Sequence, residues 1–584
     1  MVRFSVTSRW FTVLSLILAV RHPAADAITT IDGVRFVDRG GSGEIALGNI
    51  RGGLAVLDFD RDDWPDLVIR DSAGRPSRLF HNRPEANRPD GRTFVDVTAG
   101  SGLDDADGTA RSGFGVVAVD YDNDGYPDVF MTGGGGPGGS YGLLYRNNRD
   151  GTFANVSEAS GVRGTGRSPE SVSCTDFDLD GWVDLFMCFQ NGSPFRLLRN
   201  NRDGTFSDAG GLLPAVPASN HIYAHMWMDY DHDGYADCFV LINSGGPPVL
   251  LRNVADGNGG RRFINAAASA GFTRLGPAPM GIAAGDYDGD GHLDLAITDA
   301  SVGTYYRNLG SGLVEVFPFR TFFGWGVTWI DVDNDGDVDN YYVGSYANPN
   351  HDRLMRNLGN GQWADVSAAL NTVSLSSQHS VQVDFNNDGR QDLVTINPGS
   401  PGLFVSVYEN LSTTGNHWLK VKLAGNGATV NRDAIGAVVR LTAGGVTQVR
   451  EVISGSSTTA TEDLRLHFGL GQSTAADRIE VIWPRKGALA TRTDVYGGPF
   501  AADQILTLTA PPPAAGDWDR DGDVDLADFQ LFRACITGPG LAQKDPSCRD
   551  ADLDADGDVD QTDFGLFQRC ISGSDRRADS ACAA

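Results

Sequence analysis

Apolar residues in the first four hundred or so positions come in runs of three or four bounded by Asp, Asn and Gly. Val116-Val117-Ala118-Val119 and Val129-Phe130-Met131 flank one such polar stretch; Leu144-Tyr145-Arg146-Asn147, an Asp150-Gly151 turn and Phe153 follow. Short apolar runs between turn signals read as strands. The phrase returns as Leu198-Arg199-Asn200 with Asp203-Gly204 and Phe206, and as Met355-Arg356-Asn357 with Asn360-Gly361 and Trp363. Each repeat thus predicts about four strands, one blade of a β-propeller.

The polar stretch between the first two strands is a nine-residue pattern, D-x-D-x-D-G-x-x-D, that occurs seven times. Full copies are Asp120-Asp122-Asp124-Gly125-Asp128, Asp176-Asp178-Asp180-Gly181-Asp184, Asp229-Asp231-Asp233-Gly234-Asp237, Asp286-Asp288-Asp290-Gly291-Asp294 and Asp331-Asp333-Asp335-Gly336-Asp339. Two are degenerate: Asp58-Asp60-Asp62-Asp63-Asp66 lacks the glycine, and Asp384-Asn386-Asp388-Gly389-Asp392 replaces one carboxylate by an amide. Successive copies start 62, 56, 53, 57, 45 and 53 residues apart, so seven loops imply seven blades. Alternate aspartates in a tight loop aim hard oxygens at one centre, as Ca²⁺ requires, and the glycine permits a sharp backbone turn. Asp-Gly alone would merely close a hairpin. That reading does not explain carboxylates at positions 1, 3, 5 and 9.

Composition sharpens this. The 584 residues carry a net charge of −28, which excludes nucleic acid as a partner class. Of 75 acidic residues only nine are Glu, leaving 66 Asp, and 41 of those lie in the seven loops and two further loops near the C-terminus. Nine Ca²⁺ ions would bring the formal charge to −10. Arg3 and Arg9 before the apolar run Trp10–Val20, with Ala25-Asp26-Ala27 as a cleavage site, read as a signal peptide over residues 1–27. The mature chain is then secreted, with no transmembrane anchor, and its seven cysteines meet an oxidising compartment.

The repeats resemble the FG-GAP/VCBS repeats of integrin α-chain propellers, with Phe114-Gly115 and Phe323-Gly324 at the place of that motif's Phe-Gly. The resemblance implies a mainly β, seven-bladed propeller over residues 28–412. Phe36-Val37-Asp38 resembles the outermost-strand phrase Phe94-Val95-Asp96, whereas the last repeat runs from Tyr408-Glu409-Asn410 into new sequence. The N-terminal strand is therefore expected to complete the last blade and remove an exposed edge.

Residues 413–510 lack the loops. The ordered set Asn431-Arg432-Asp433-Ala434-Ile435-Gly436-Ala437, Phe468-Gly469-Leu470-Gly471 and Val481-Ile482-Trp483-Pro484 is similar to the ASPIC/UnbV domain, and alternation around Val438–Leu441 predicts a small β-rich module. A Pro/Ala linker, 511–516, leads to a module at 517–584 that repeats at an offset of 35. Asp517, Asp519, Asp521, Asp523 and Asp528 match Asp552, Asp554, Asp556, Asp558 and Asp563 in two EF-hand-type loops, each opening a helix with Phe529-Leu531-Phe532 or Phe564-Leu566-Phe567 in phase. This small α-helical pair resembles a dockerin type I module and implies a cohesin-type partner. Leu526-Ala527 differs from Gln561-Thr562 at the usual docking positions, which argues against symmetric two-way docking. Four cysteines here allow three connectivities, and the repeat favours Cys535–Cys548 with Cys570–Cys582. Cys174 and Cys188 flank the third loop symmetrically and suggest a cross-strand disulfide, leaving Cys238 as a core thiol.

No G-x-S-x-G, H-E-x-x-H or phosphate-binding loop occurs. His221 and His225 read as packing rather than metal ligands, and Trp325, Trp329, Tyr341 and Tyr342 as blade packing rather than sugar platforms. The expected function is an extracellular binding or adhesion module for a protein or glycan ligand, stabilised by up to nine Ca²⁺ and attached through its tail. The alternatives are a carbohydrate-active enzyme or substrate-binding subunit of a polysaccharide-degrading assembly, and a purely structural extracellular protein.

Overall fold

The computed structural model describes Thr30 and residues 33–583 apart from 41–46, 48–51, 72–75, 86–90, 104–112, 134–139, 166–168, 190–194, 217–220, 244–245, 321–323, 345–351, 371–376, 398–404, 458 and 488–491. The signal-peptide expectation and Phe323 fall outside the described residues.

The chain is mainly β with few helices. Among the described residues, seven four-stranded antiparallel sheets lie between Phe36 and Asn410. In the second sheet Val116–Val119 pairs with Asp128–Met131, which pairs with Leu143–Asn147 and then Phe153–Asn155. The acidic nonapeptide joins the first two strands of every sheet, and its last aspartate opens the second strand in all seven: Asp66, Asp128, Asp184, Asp237, Asp294, Asp339 and Asp392. First strands touch their neighbours in sequence order, and His379–Val383 of the seventh sheet returns to Leu54–Leu57 of the first. The expected splice is present: Phe36 faces Asn410, Val37 faces Glu409 and Asp38 faces Tyr408, so the earliest strand is the outer edge of the last sheet.

Residues 417–510 form two sheets. One has the order Leu466–Gly471, His417–Ala424, Gln504–Thr509, and the other Val446–Glu451, Val438–Ala443, Ala475–Ile482, Thr493–Ala501. Their buried Leu419, Ile435, Phe468 and Trp483 share one apolar core with Val117, Val172 and Leu185 of the second and third sheets. An arm between the strands ending at Glu451 and starting at Leu466 reaches among the first strands. Ser454 bridges Cys174, Ser457 bridges Ile282 and Thr461 bridges Ala55, on three different sheets.

The tail holds two helices, α1 (Leu526–Cys535) and α2 (Gln561–Cys570). Each starts with a reciprocal capping box, Asp525 with Asp528 and Asp560 with Asp563. Trp518 stacks between Phe532 and Phe567 at centroid distances of 5.3 and 5.2 Å. Both favoured disulfides are formed, Cys535–Cys548 and Cys570–Cys582.

The third expected disulfide is absent. Cys174 sits opposite Leu185 and Cys188 opposite Ser171, so the two thiols lie on opposite faces of one sheet. Both are free and buried, as is Cys238. Cys174 pairs with Leu185, three residues short of Cys188, and an odd offset along a strand turns a side chain to the other face. His225 is buried, its Nδ1 2.9 Å from Ser171 Oγ and its Nε2 2.6 Å from Ser173 Oγ, a packing role.

Candidate metal centres

Each loop is built by its own first aspartate. Asp120 accepts from the amides of Asp124 (3.0 Å) and Gly125 (2.6 Å), and Asp176 from those of Asp180 and Gly181 (2.9 Å each). Asp286, Asp384, Asp517 and Asp552 close their loops with the same two bonds. The wrap needs left-handed backbone at two places. The sixth position holds Gly125 (φ +94°), Gly181, Gly234, Gly291, Gly336, Gly389, Gly522 and Gly557, and Asp63 takes it at φ +65° in the first loop. The fourth position is left-handed in all nine loops, at Arg61, Asn123, Leu179, His232, Gly289, Asn334, Asn387, Arg520 and Ala555.

This wrap brings carboxylates together. Oxygens of Asp58, Asp60 and Asp66, of Asp120, Asp122 and Asp128, and of Asp229, Asp231 and Asp237 lie within 4.8 Å of one another, as do those of Asp176, Asp178 and Asp180. Asp60 Oδ1, Asp178 Oδ1, Asp229 Oδ1, Asp231 Oδ1, Asp331 Oδ1 and Asp333 Oδ1 are buried with no hydrogen-bond donor among the described residues, as are Asp519 Oδ1, Asp523 Oδ1 and Asp558 Oδ1. Burial, reinforced by neighbouring aspartates, pushes Asp66 up to about 9, Asp294 to about 8, and Asp229 and Asp517 to about 7. Clustered, dehydrated, donor-poor carboxylate oxygens on a turn that fixes their direction fit a hard divalent cation. Asp528 and Asp563 also tie loop to helix, because each accepts amide bonds from the start of its loop, at Trp518 (2.7 Å) and Leu553 (2.6 Å).

The two degenerate loops differ. Asp63 pairs with Lys422 at 2.5 Å, and His81 Nε2 lies 3.3 Å from Asp60. In the seventh loop Asn386 Nδ2 donates to Asp388 (2.9 Å), and the buried Lys420 reaches Asp384 at 3.0 Å.

The repeated Arg-Asn phrase has a role that strand periodicity did not disclose. The ninth aspartate accepts from the backbone amide of that asparagine in every sheet, at 2.7 to 2.8 Å. The asparagine Nδ2 then donates to the carbonyl after the first aspartate of the preceding sheet. Asn147 reaches Phe59, Asn200 Tyr121, Asn253 Phe177, Asn308 Tyr230, Asn357 Tyr287 and Asn410 Val332. Asn82 reaches Phe385 and closes the belt. The preceding arginine braces the aspartate at position three of the loop: Arg199–Asp178 2.5 Å, Arg252–Asp231 2.6 Å, Arg307–Asp288 2.6 Å, Arg356–Asp333 2.5 Å. An asparagine recurring 14 to 19 residues after the aspartate at position nine was the available signal.

The loop face docks on residues 417–510. Asp433 accepts from the Asp120 amide (2.7 Å), and the Arg432 amide donates to Asn123 (3.0 Å). Gln448 and Gly469 sit against the sixth loop, and Trp418 covers Gly389. A cavity of about 180 Å³ remains between Asp58, Asp120, Lys422, Asp433 and Arg465.

Comparison with known proteins matches this geometry. The ASPIC and UnbV family matches residues 427–514 and the dockerin type I domain matches 515–572. The chain is 24% identical to cartilage acidic protein 1 of Homo sapiens over 516 residues, covering 79% of this chain and 74% of that one. Cartilage acidic protein 1 of Xenopus tropicalis is 24% identical over 511 residues, covering 79% and 73%. Among solved structures, an Agrocybe aegerita lectin specific for non-reducing terminal N-acetylglucosamine aligns at 15% identity and a TM-score of 0.35, covering 61% of this chain and 94% of its own. The FG-GAP-like repeat family matches six overlapping segments, 58–131, 120–187, 176–240, 229–297, 286–342 and 331–395, more than half of the chain. With acidic turns and belt asparagines recurring sheet after sheet, the chain belongs to the FG-GAP-like repeat family.

Proposed function

We propose that this chain is a secreted, calcium-stabilised binding module: a seven-bladed propeller at 28–412, an ASPIC/UnbV domain at 413–510, a linker at 511–516 and a dockerin-like attachment tail at 517–584. The observation that carries the reading is the same acidic centre in both units, wrapped on one aspartate and lined by buried oxygens without donors. Calcium would be held by the carboxylates of positions 1, 3, 5 and 9 in the sheet loops, and of 1, 3, 5, 7 and 12 in the tail loops. The ion supplies charge neutralisation and rigidity there. With the loop face covered by residues 417–510, partners reach the opposite rim.

Similarity to dockerin supports a cohesin-type protein partner for the tail. Leu526 at a docking position is 66% exposed, and Leu531 on the same helix is 46% exposed. Among the described residues no helix is long and apolar enough to cross a membrane. The test is retention of cohesin-bearing proteins from the extracellular fraction by full-length protein, with and without chelator. Calcium-dependent capture lost in Leu526→Asp supports attachment. Capture that ignores both chelator and substitution refutes it.

A further inference from the structure

Of the 47 basic residues only four are lysine, at Lys420, Lys422, Lys486 and Lys544, all beyond the seven sheets. Lys420 and Lys422 sit two apart on the strand His417–Ala424, so with Trp418 they share one of its faces. That face lies on the acidic loops. The two loops the lysines reach are the two that depart from the nonapeptide pattern. Lys422 pairs with Asp63, which stands where the first loop lacks its glycine, and Lys420 pairs with Asp384 of the seventh. Among the described residues, the ion pairs of the five complete loops are made by arginine.

The two lysine pairs differ in depth. Asp63 is 76% exposed, so water screens its pair, and Asp60 Oδ1 in the same loop keeps no donor among the described residues. The side chains of Lys420 and Asp384 are 1% and 0% exposed. An ammonium and a carboxylate at that depth persist only as each other's counter-ion.

The rest of the seventh loop is also satisfied from within the chain. Asp384 Oδ1 accepts from the Asp388 amide (3.0 Å), and its Oδ2 from the Gly389 amide (2.9 Å) as well as from Lys420 (3.0 Å). Asp388 Oδ1 accepts from the Arg390 amide (2.9 Å), and its Oδ2 from Asn386 Nδ2 (2.9 Å) and the Arg390 guanidinium. Asp392 takes the amides of Asn410 (2.7 Å) and Phe385 (3.1 Å). Every carboxylate oxygen of this loop therefore has a donor, whereas Asp331 Oδ1 and Asp333 Oδ1 of the sixth loop have none among the described residues. Position three has changed together with its brace. Asn386 Nδ2 lies 3.4 Å from Glu409, which stands where loops three to six have their arginine and is itself held by Arg39 at 2.5 Å. An amide oxygen turned toward both Asp388 and Glu409 would be repelled, so the nitrogen takes that place.

We infer that Lys420 neutralises the seventh loop in place of a divalent cation, and that this loop stays free of calcium when the complete loops are filled. A lysine ammonium is a compact point charge, closer in shape to an ion than a planar guanidinium is. The inference rests on the calcium reading of the complete loops and narrows it: residues 417–510 hold the seventh loop without an ion.

Bound calcium, counted by atomic emission on the full chain at a free calcium that just saturates the wild type, tests it. Asp335→Ala, at position five of the sixth loop, should lower the count by one ion. Asp388→Ala, at the same position of the seventh, should leave it unchanged. Lys420→Met should raise the count by one, melt below the wild type in chelator and recover in calcium. Loss of an ion in Asp388→Ala, or no gain in a folded Lys420→Met, overturns the inference. Should Lys420→Met fail to fold, the two aspartate substitutions decide alone. A loss in both of them defeats the inference and leaves the calcium reading standing; no loss in Asp335→Ala defeats that reading and the inference with it.

Discussion

At the scale of single residues, two positions show how backbone and charge are used. Gly389 takes φ +82°, and a Cβ there would meet Trp418 at 1.7 Å. Gly389→Ala combines left-handed strain with a clash against a neighbouring domain and should cost about 2–4 kcal/mol; guanidinium unfolding would show it. Glu170 is raised from 4.5 to about 7 by burial. An acid whose folded pKa exceeds its unfolded one binds more protons when folded, so its destabilising effect sets in as pH rises from 4.5 and is complete above about 7. The span is worth up to ~3 kcal/mol. Stability measured against pH in Glu170→Gln should lack that fall, and an unchanged profile would dismiss this acid as its source.

Among elements, the nonapeptide turns and the Arg-Asn strands act as pairs. Removing Asn147 leaves the carbonyls of Phe59 and Pro127 without a donor in a buried place. Asn147→Ala should cost about 2–3 kcal/mol, whereas loss of the exposed Arg149–Asp124 pair, 2.8 Å apart, should be far milder because water screens it. Comparison of the two single variants by chemical denaturation separates the contributions. In the tail, each disulfide closes a loop of 13 or 12 residues. Cys535→Ser with Cys548→Ser should destabilise that module by ~3 kcal/mol, with helix loss followed by circular dichroism.

Across the whole molecule, the calcium proposed for the acidic turns would link turns, sheets and the residues 417–510 that cover them. A site at 100 times its dissociation constant adds ~2.7 kcal/mol. Chelator should therefore lower the melting temperature and expose the contact between the loop face and residues 417–510 to protease. An identical melt and digestion pattern in chelator would remove calcium from the account.

The repeats, the acidic turns, the edge strand at Phe36 and the tail disulfides were legible from residue types and spacing, because turns, strand runs and loop ligands are local. The Cys174–Cys188 pairing failed because the two residues are offset by three in the hairpin register, which puts their side chains on opposite faces of the sheet. The asparagine belt and the arm at Ser454–Thr461 join residues as far apart as Asn82 and Phe385. Such partners share no periodicity, so only the assembled sheets decide them.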